Sequence, residues 1–216
     1  MKIRALLVLP FFIFEGGASA QTPDAKAQAL GKELWQASGG ENWSKVKAID
    51  FTFIVEENGK ELARAVHHWD VIAGTDHVKW KDKDVTVDLT APVPDDANKA
   101  AYARWVNDTY WLLAPLKIFD RGVKVTTEGQ KQSEGVRCET LRLSFAKVGL
   151  TPDDQYLFYL DPQTKLAKAW DYIPKADTVR HGTWDKYETF GGLKLATEHN
   201  FAGKMIRFAE IKVSTD

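Results

Sequence analysis

The sequence predicts a mainly β protein of the α+β kind, in which about eleven antiparallel strands form one curved sheet. The sheet is expected to make a half-open barrel with helices across its concave face. Three observations predict this. From Val46 the hydrophobic period is two, with Ile49, Phe51, Phe53 and Val55 alternating with Asp50, Thr52 and Ile54. The links between such segments are short and turn-rich, as in Glu57-Asn58-Gly59, Asp161-Pro162-Gln163 and Gly191-Gly192, so sequential strands pair antiparallel. The strands are also bulky on their buried side, at Trp69, Trp80, Leu141, Leu143, Phe145, Tyr156, Phe158, Trp170 and Trp184. A twisted meander of that width curls, and helices on its concave face would cover those residues.

The chain begins with a basic start (Lys2, Arg4), an apolar run over 5–14 and the small-residue motif Ala18-Ser19-Ala20. This pattern predicts a secretory signal peptide over 1–20, cleaved before Gln21. The run is too short to span a bilayer comfortably, and Gln21, not a cysteine, stands directly after the cleavage point, so no lipid anchor is expected at the new N-terminus. The mature chain, 21–216, is expected to be one soluble periplasmic domain and a monomer, not an integral membrane protein.

Thr22-Pro23-Asp24 reads as a cap, a first-turn proline and an acidic second position, starting a helix that runs to about Ala37. Ala27, Leu30, Leu34 and Ala37 give it a narrow apolar face, and Ser38-Gly39-Gly40 stops it. After the first strand, Asn58-Gly59 turns the chain into a return strand over 61–69. Strands over 77–81 and 84–89 follow, joined by the polar Lys81-Asp82-Lys83-Asp84. Ala91-Pro92-Val93-Pro94 ends the pairing, because proline cannot donate to a ladder. Asp95 or Asp96 then caps a helix that leads into the densest apolar stretch, 105–122. Pro115 interrupts that stretch and is expected to push Ala114 out of the α region. The stretch therefore reads as the end of one helix, a short second helical piece over 110–113, and a stop. A short piece of that kind, bounded by Asn107-Asp108 and Pro115, would lie across the sheet as a lid or as a plug.

Beyond Gly122 further strands are expected over 123–127, 136–146, 155–161, 165–173, 178–187, 193–199 and 205–213. Cys138, the single cysteine, falls mid-strand and reads as a small buried hydrophobe with no basic neighbour to activate it. With 29 basic against 30 acidic residues, the charge balance steers the protein toward neither nucleic acid nor an anionic membrane.

Few residues suggest chemistry. His67 and His68 are neighbours on a strand, so they point to opposite faces and cannot share a metal ion. They read as one packed and one solvated histidine. His181 and Asp185 share a face but lie too far apart to pair. Asp153-Asp154 with Asp161 lacks calcium-loop spacing. No nucleophile elbow, phosphate loop or dinucleotide fingerprint occurs, and no cofactor or metal is expected. Eight tryptophans mark large apolar surface, in a core or around a ligand.

Several motifs carry a resemblance. Asn107-Asp108-Thr109-Tyr110-Trp111-Leu112 with Pro115 and Asp120-Arg121-Gly122-Val123 is similar to a family of exported bacterial proteins of uncharacterised function. So are Val148-Gly149-Leu150-Thr151-Pro152 before Tyr156, and Gly191-Gly192-Leu193-Lys194-Leu195. That family resembles in architecture the periplasmic lipoprotein carriers and the outer-membrane lipoprotein receptor. The resemblance implies a curved sheet closed by helices over a hydrophobic cavity for a lipid, an acyl chain or another apolar ligand. The expected lining is Phe51, Phe53, Trp69, Trp80, Trp105, Tyr110, Trp111, Leu113, Phe145, Tyr156, Phe158, Trp170 and Trp184. An envelope protein docked on the concave face is the alternative partner, and an enzyme acting on an apolar substrate is a third reading. No catalytic residue is expected.

Overall fold

Every strand of the sheet pairs antiparallel with its neighbours, and the two edges never meet. The computed structural model describes residues 24–92 and 95–215. The expected signal peptide and its cleavage point lie outside the described residues. In chain order the elements are α1 (Ala25–Ala37), β1 (Ala48–Glu57), β2 (Lys60–Asp70), β3 (Thr75–Trp80), β4 (Lys83–Asp88) and α2 (Asp96–Leu113). There follow β5 (Val123–Thr126), β6 (Gln130–Ser133), β7 (Val136–Phe145), β8 (Gln155–Leu160), β9 (Ala167–Ile173), β10 (Arg180–Thr183), β11 (Asp185–Phe190), β12 (Leu193–Phe201) and β13 (Lys204–Ser214). The spatial order is β4-β3-β2-β1-β13-β12-β10-β9-β8-β7-β5, with β11 also on β12 and β6 also on β7. The first strand lies against the last, so two meanders are joined along β1 and β13. The half-open curved sheet expected from the sequence is therefore present, with β4 and β5 as the open edges.

The strand count differs from the expected eleven for two local reasons. β6 is all polar (Gln130-Lys131-Gln132-Ser133) and shows no alternation, yet it pairs with the start of β7 through a turn at Glu134-Gly135. The strand expected over 178–187 breaks at Trp184. There the backbone leaves the ladder, donates its N–H to the Lys168 carbonyl and buries the indole. β10 pairs with β9, whereas β11 pairs with β12.

The helices correct two further expectations. α1 starts at Ala25, and the Asp24 carboxylate accepts hydrogen bonds from the backbone N–H groups of Lys26 and Ala27. The expected cap, Thr22, lies outside the described residues. α2 is one continuous helix of 18 residues capped by Asp95, not two pieces. Ala114 keeps α geometry (φ −52°, ψ −37°), and Pro115 sits in the first turn of a 3-10 segment, Ala114–Leu116, where its missing N–H costs least. Segment 110–113 therefore has no hinge of its own. Asp108, expected to flank it, is fully buried and bonded.

α2 lies on β3 and β4 at one end and reaches β12, while α1 covers β5 and β7. Beneath them runs the main core, including Leu34, Ile49, Leu112, Leu113, Leu141, Phe158 and Trp170. A smaller apolar group, Cys138, Leu157, Tyr159 and Ala169, lies on alternate residues of β7–β9. Burial pushes the Cys138 thiol pKa up, as suits a packing residue.

One close approach fixes how the 3-10 turn Gly40–Lys45 docks on the β11–β12 hairpin. Asn42 Nδ2 donates to the Gly192 carbonyl at 3.1 Å, and Lys194 N–H donates to Ser38 O at 3.0 Å. Gly39 has φ +79°, and a Cβ there would lie 2.1 Å from the Gly192 oxygen. Gly39→Ala is expected to cost about 1–3 kcal/mol for the left-handed backbone alone, plus the overlap. A denaturant midpoint unchanged from wild type would contradict that.

Candidate functional site: an aromatic cleft under helix α2

Strand register builds the site. On β7–β10 the residues facing α2 fall into cross-strand rows. The deep row runs Leu141, Phe158, Trp170, Gly182 and, across on β12, Phe201. The next row toward the edge runs Leu143, Tyr156, Tyr172 and Arg180. Gly182 leaves room for its neighbours to close over the strand. A Cβ there would lie 2.9 Å from Phe201 Cδ2 and 3.0 Å from Trp170 Nε1.

The last turns of α2 supply the opposite wall. Val106, Asn107, Tyr110 and Trp111 are two i, i+4 pairs, so they share one side of the helix. Between this side and the two rows lies a half-open cleft of about 350 Å³, lined also by Val148–Thr151 from the β7–β8 link. Its walls are chiefly aromatic. Trp111 meets Trp170 edge-on at 4.6 Å and Phe201 at 4.9 Å. Tyr156 lies 4.6 Å from Trp170 and 5.1 Å from Tyr110, and Phe145 packs beside both tyrosines. Such contacts stabilise by about 0.5–1.5 kcal/mol each beyond their buried area, so the walls are stiff.

The polar groups are few. Burial pushes the phenol pKa of Tyr110 and of Tyr156 well up, so both remain neutral. Burial and a hydrogen bond to Asp154 push Tyr172 up to about 12, with its Oη donating to Asp154 Oδ2 at 2.5 Å. Burial works against the Asp154 carboxylate, but that bond and one from Lys175 N–H hold its pKa below the usual range. Arg180 is the only charged residue on the cleft wall among the described residues. Among the described residues no histidine, cysteine or carboxylate lines it.

Tyr110, Trp111, Phe145, Tyr156 and Trp170 stand together on the cleft wall. The other expected lining residues do not reach it. Phe51, Phe53, Trp69, Leu113, Phe158 and Trp184 are buried in the packed core. Phe51 stacks on His67 at 4.5 Å, and Trp69 is held between Trp43 and Trp105. Trp105 is half-buried against that core, and Trp80 flanks the small group Ala65, Val78, Val87 and Ala101. The reason is where α2 lies. Its first half packs on β3 and β4, and the cleft lies beside its C-terminal half. Residues not foreseen are Val106, Asn107, the β7–β8 link, Tyr172, Arg180 and Phe201. Tyr172 had a signal, since it follows Trp170 by two on the same strand face.

Next to the cleft lies a buried charge cluster. His67 Nδ1 is 2.8 Å from Asp76 Oδ2, and its Nε2 is 3.1 Å from Asp108 Oδ2. Asn107, on the cleft wall, donates to Asp108 Oδ1 at 2.7 Å. Arg104 Nη2 lies 2.8 Å from Asp108 Oδ2 but off the line of a hydrogen bond, so it balances charge instead. Burial lowers the His67 pKa, but its bonds to Asp108 and Asp76 more than offset this, and the net shift is upward. His68 faces the other way, is exposed and pairs with Asp50, in line with the packed-and-solvated reading. His181 pairs with Asp171 at 2.6 Å and not with Asp185. Among the described residues no three His, Cys, Asp or Glu side chains converge as a metal site, and no helix is long and apolar enough to cross a membrane.

No protein-family model and no curated protein sequence matches the chain. Among solved structures, a DUF1329 family protein from Desulfovibrio piger aligns with a TM-score of 0.52 at 13% identity, covering 89% of this chain and 94% of that one. A LolA superfamily protein from Nitrosomonas europaea aligns with a TM-score of 0.49 at 6% identity, covering 85% of this chain and 93% of that one. At 13% identity the likeness to the first of these is one of fold.

Proposed function

We propose that the protein is an exported, periplasmic binding or carrier protein that takes one lipid chain or similar apolar ligand into the cleft under α2. The observation that carries this reading is the composition of the wall: aromatic side chains from α2, β7, β8, β9 and β12 around an open volume of about 350 Å³. That volume lies at the low end of the range of single-ligand sites, so one ligand is accommodated. Each methylene moved from water to the wall contributes about 0.8 kcal/mol, so a hydrocarbon chain binds with few polar contacts. The wall residues Tyr110, Trp111, Phe145, Tyr156 and Trp170 are assigned the binding role. The acid–base pair that hydrolysis of such a ligand would need does not line the cleft, which favours binding over catalysis. One domain over 21–216, acting as a monomer, suffices for this role.

A fluorescent fatty-acid analogue is expected to bind delipidated protein at about one equivalent and to quench tryptophan emission, because Trp111 and Trp170 face the ligand. Folded protein that neither binds the probe nor changes its emission would end the carrier reading.

A further inference from the structure

We propose that the ligand is an amphiphile with one monoanionic head, of the carboxylate class, and that Arg180 at the mouth of the cleft selects it. The inference rests on the cleft being a ligand site and adds the polarity of the ligand. Three observations carry it. First, the cleft is graded in depth by strand register. Of the deep row Trp170 reaches the wall, with Leu141 and Phe158 packed in the core beside it, and the neighbouring row ends in Tyr172 and Arg180. Second, the single charge on the wall is positive, and the side chain of Arg180 is 41% exposed, so it stands where a head group would meet water. Third, its guanidinium is held at one end only. Nη2 donates to Asp177, three residues earlier in the β9–β10 link, and the remaining N–H groups make no hydrogen bond within the described residues. A planar fork of five donors with one edge engaged can present its other edge to a carboxylate.

The neighbouring groups reinforce the sign. Of the carboxylates beside this row, Asp177 is paired with Arg180 and Asp154 is occupied by Tyr172 Oη and Lys175 N–H, so a cationic head finds no free counter-charge on the wall. Thr151, also on the cleft wall, adds a neutral donor. A hydrocarbon alone would gain nothing from an arginine in that position, and a charge at the edge of an apolar wall costs desolvation when it is covered.

The test compares decanoate, decanol and decyl phosphate, which share a chain and differ in the head. Wild type is expected to bind decanoate about tenfold more tightly than decanol at neutral pH, with the gap narrowing as salt rises. Arg180→Gln should bring decanoate down to the level of decanol and leave decanol within about twofold. Arg180→Lys should restore part of the difference, because the charge returns without the fork. Asp177→Asn frees the guanidinium and should tighten decanoate alone. Equal affinity of wild type for acid and alcohol, or equal losses of both probes in Arg180→Gln, would overturn the proposal and leave the apolar site intact. Preference for decyl phosphate over decanoate would overturn the carboxylate assignment. If folded wild type bound none of the three, the site itself would fall with it.

Discussion

Replacing His67 by alanine is expected to lower the unfolding free energy by about 3–5 kcal/mol, the usual cost of removing one partner from a buried ionic group. The side chains of His67, Asp76 and Asp108 are all fully buried. Both ring nitrogens of His67 face carboxylate oxygens, and both can donate only when the imidazole is doubly protonated. With Arg104 beside Asp108, the protonated cluster holds two positive and two negative charges, and deprotonation leaves it one positive charge short. The direction of the pH effect follows. His67 has a folded-state pKa above its ordinary value of 6.5, so its contribution is complete below about pH 6.5 and is lost as pH rises through the raised value. Wild-type stability should therefore fall on the alkaline side of that point. The penalty of His67→Ala should shrink there, because wild type has itself lost the imidazolium. Urea midpoints at several pH values for both proteins measure this. A penalty below about 1 kcal/mol at acidic pH, or one that grows with alkalinity, would show that the cluster does not hold the proton this geometry assigns to it.

The cluster also marks how far the sequence could be read. Period-two alternation places β1 and β2 and sends His67 and His68 to opposite faces, but nothing along the chain says that Asp108, 41 residues on, comes to meet His67. The strands with strong alternation are legible, whereas β6 is not, because pairing with β7 alone holds four polar residues in an extended chain. The break at Trp184 is a tertiary effect. A large side chain is buried at the cost of one ladder position, and its strand propensity gives no hint of it. At Pro115 the expected stop holds, since α2 ends at Leu113, but the expected split of the helix and the displacement of Ala114 do not, because a 3-10 turn takes up the proline with Ala114 still in α geometry. For the cleft, the residue types were legible and the location was not. Large aromatics on one strand face are equally suited to a core and to a cavity wall. The path of α2 decides which of them it covers, and that path depends on Asp108 being tied to β2 through His67.

Trp111→Ala is expected to damage binding and stability together, and the proportion identifies what the end of α2 does. Trp111 is 9% exposed and stands between two environments: it closes on Trp170, His199 and Phe201 inside, and it forms wall on the cleft side. Truncating a fully enclosed tryptophan costs about 3–5 kcal/mol. Here the hole would open into the cleft, where solvent can enter, so the lower half of that range is expected. Ligand would lose its main aromatic contact, and affinity for a fatty-acid probe should fall at least tenfold. Leu112→Ala supplies the comparison, since Leu112 is 1% exposed, faces the core and does not line the cleft. Its loss should cost about 2–5 kcal/mol with probe affinity unchanged in the folded fraction. Two neighbouring positions on one helix would then separate wall from core by their affinities and not by their midpoints. Because α2 is continuous through 110–113, a small midpoint shift with a large affinity loss at Trp111 would mean that this end of the helix moves after all. Unchanged affinity in Trp111→Ala would mean that the aromatic wall is core packing and that the ligand sits elsewhere.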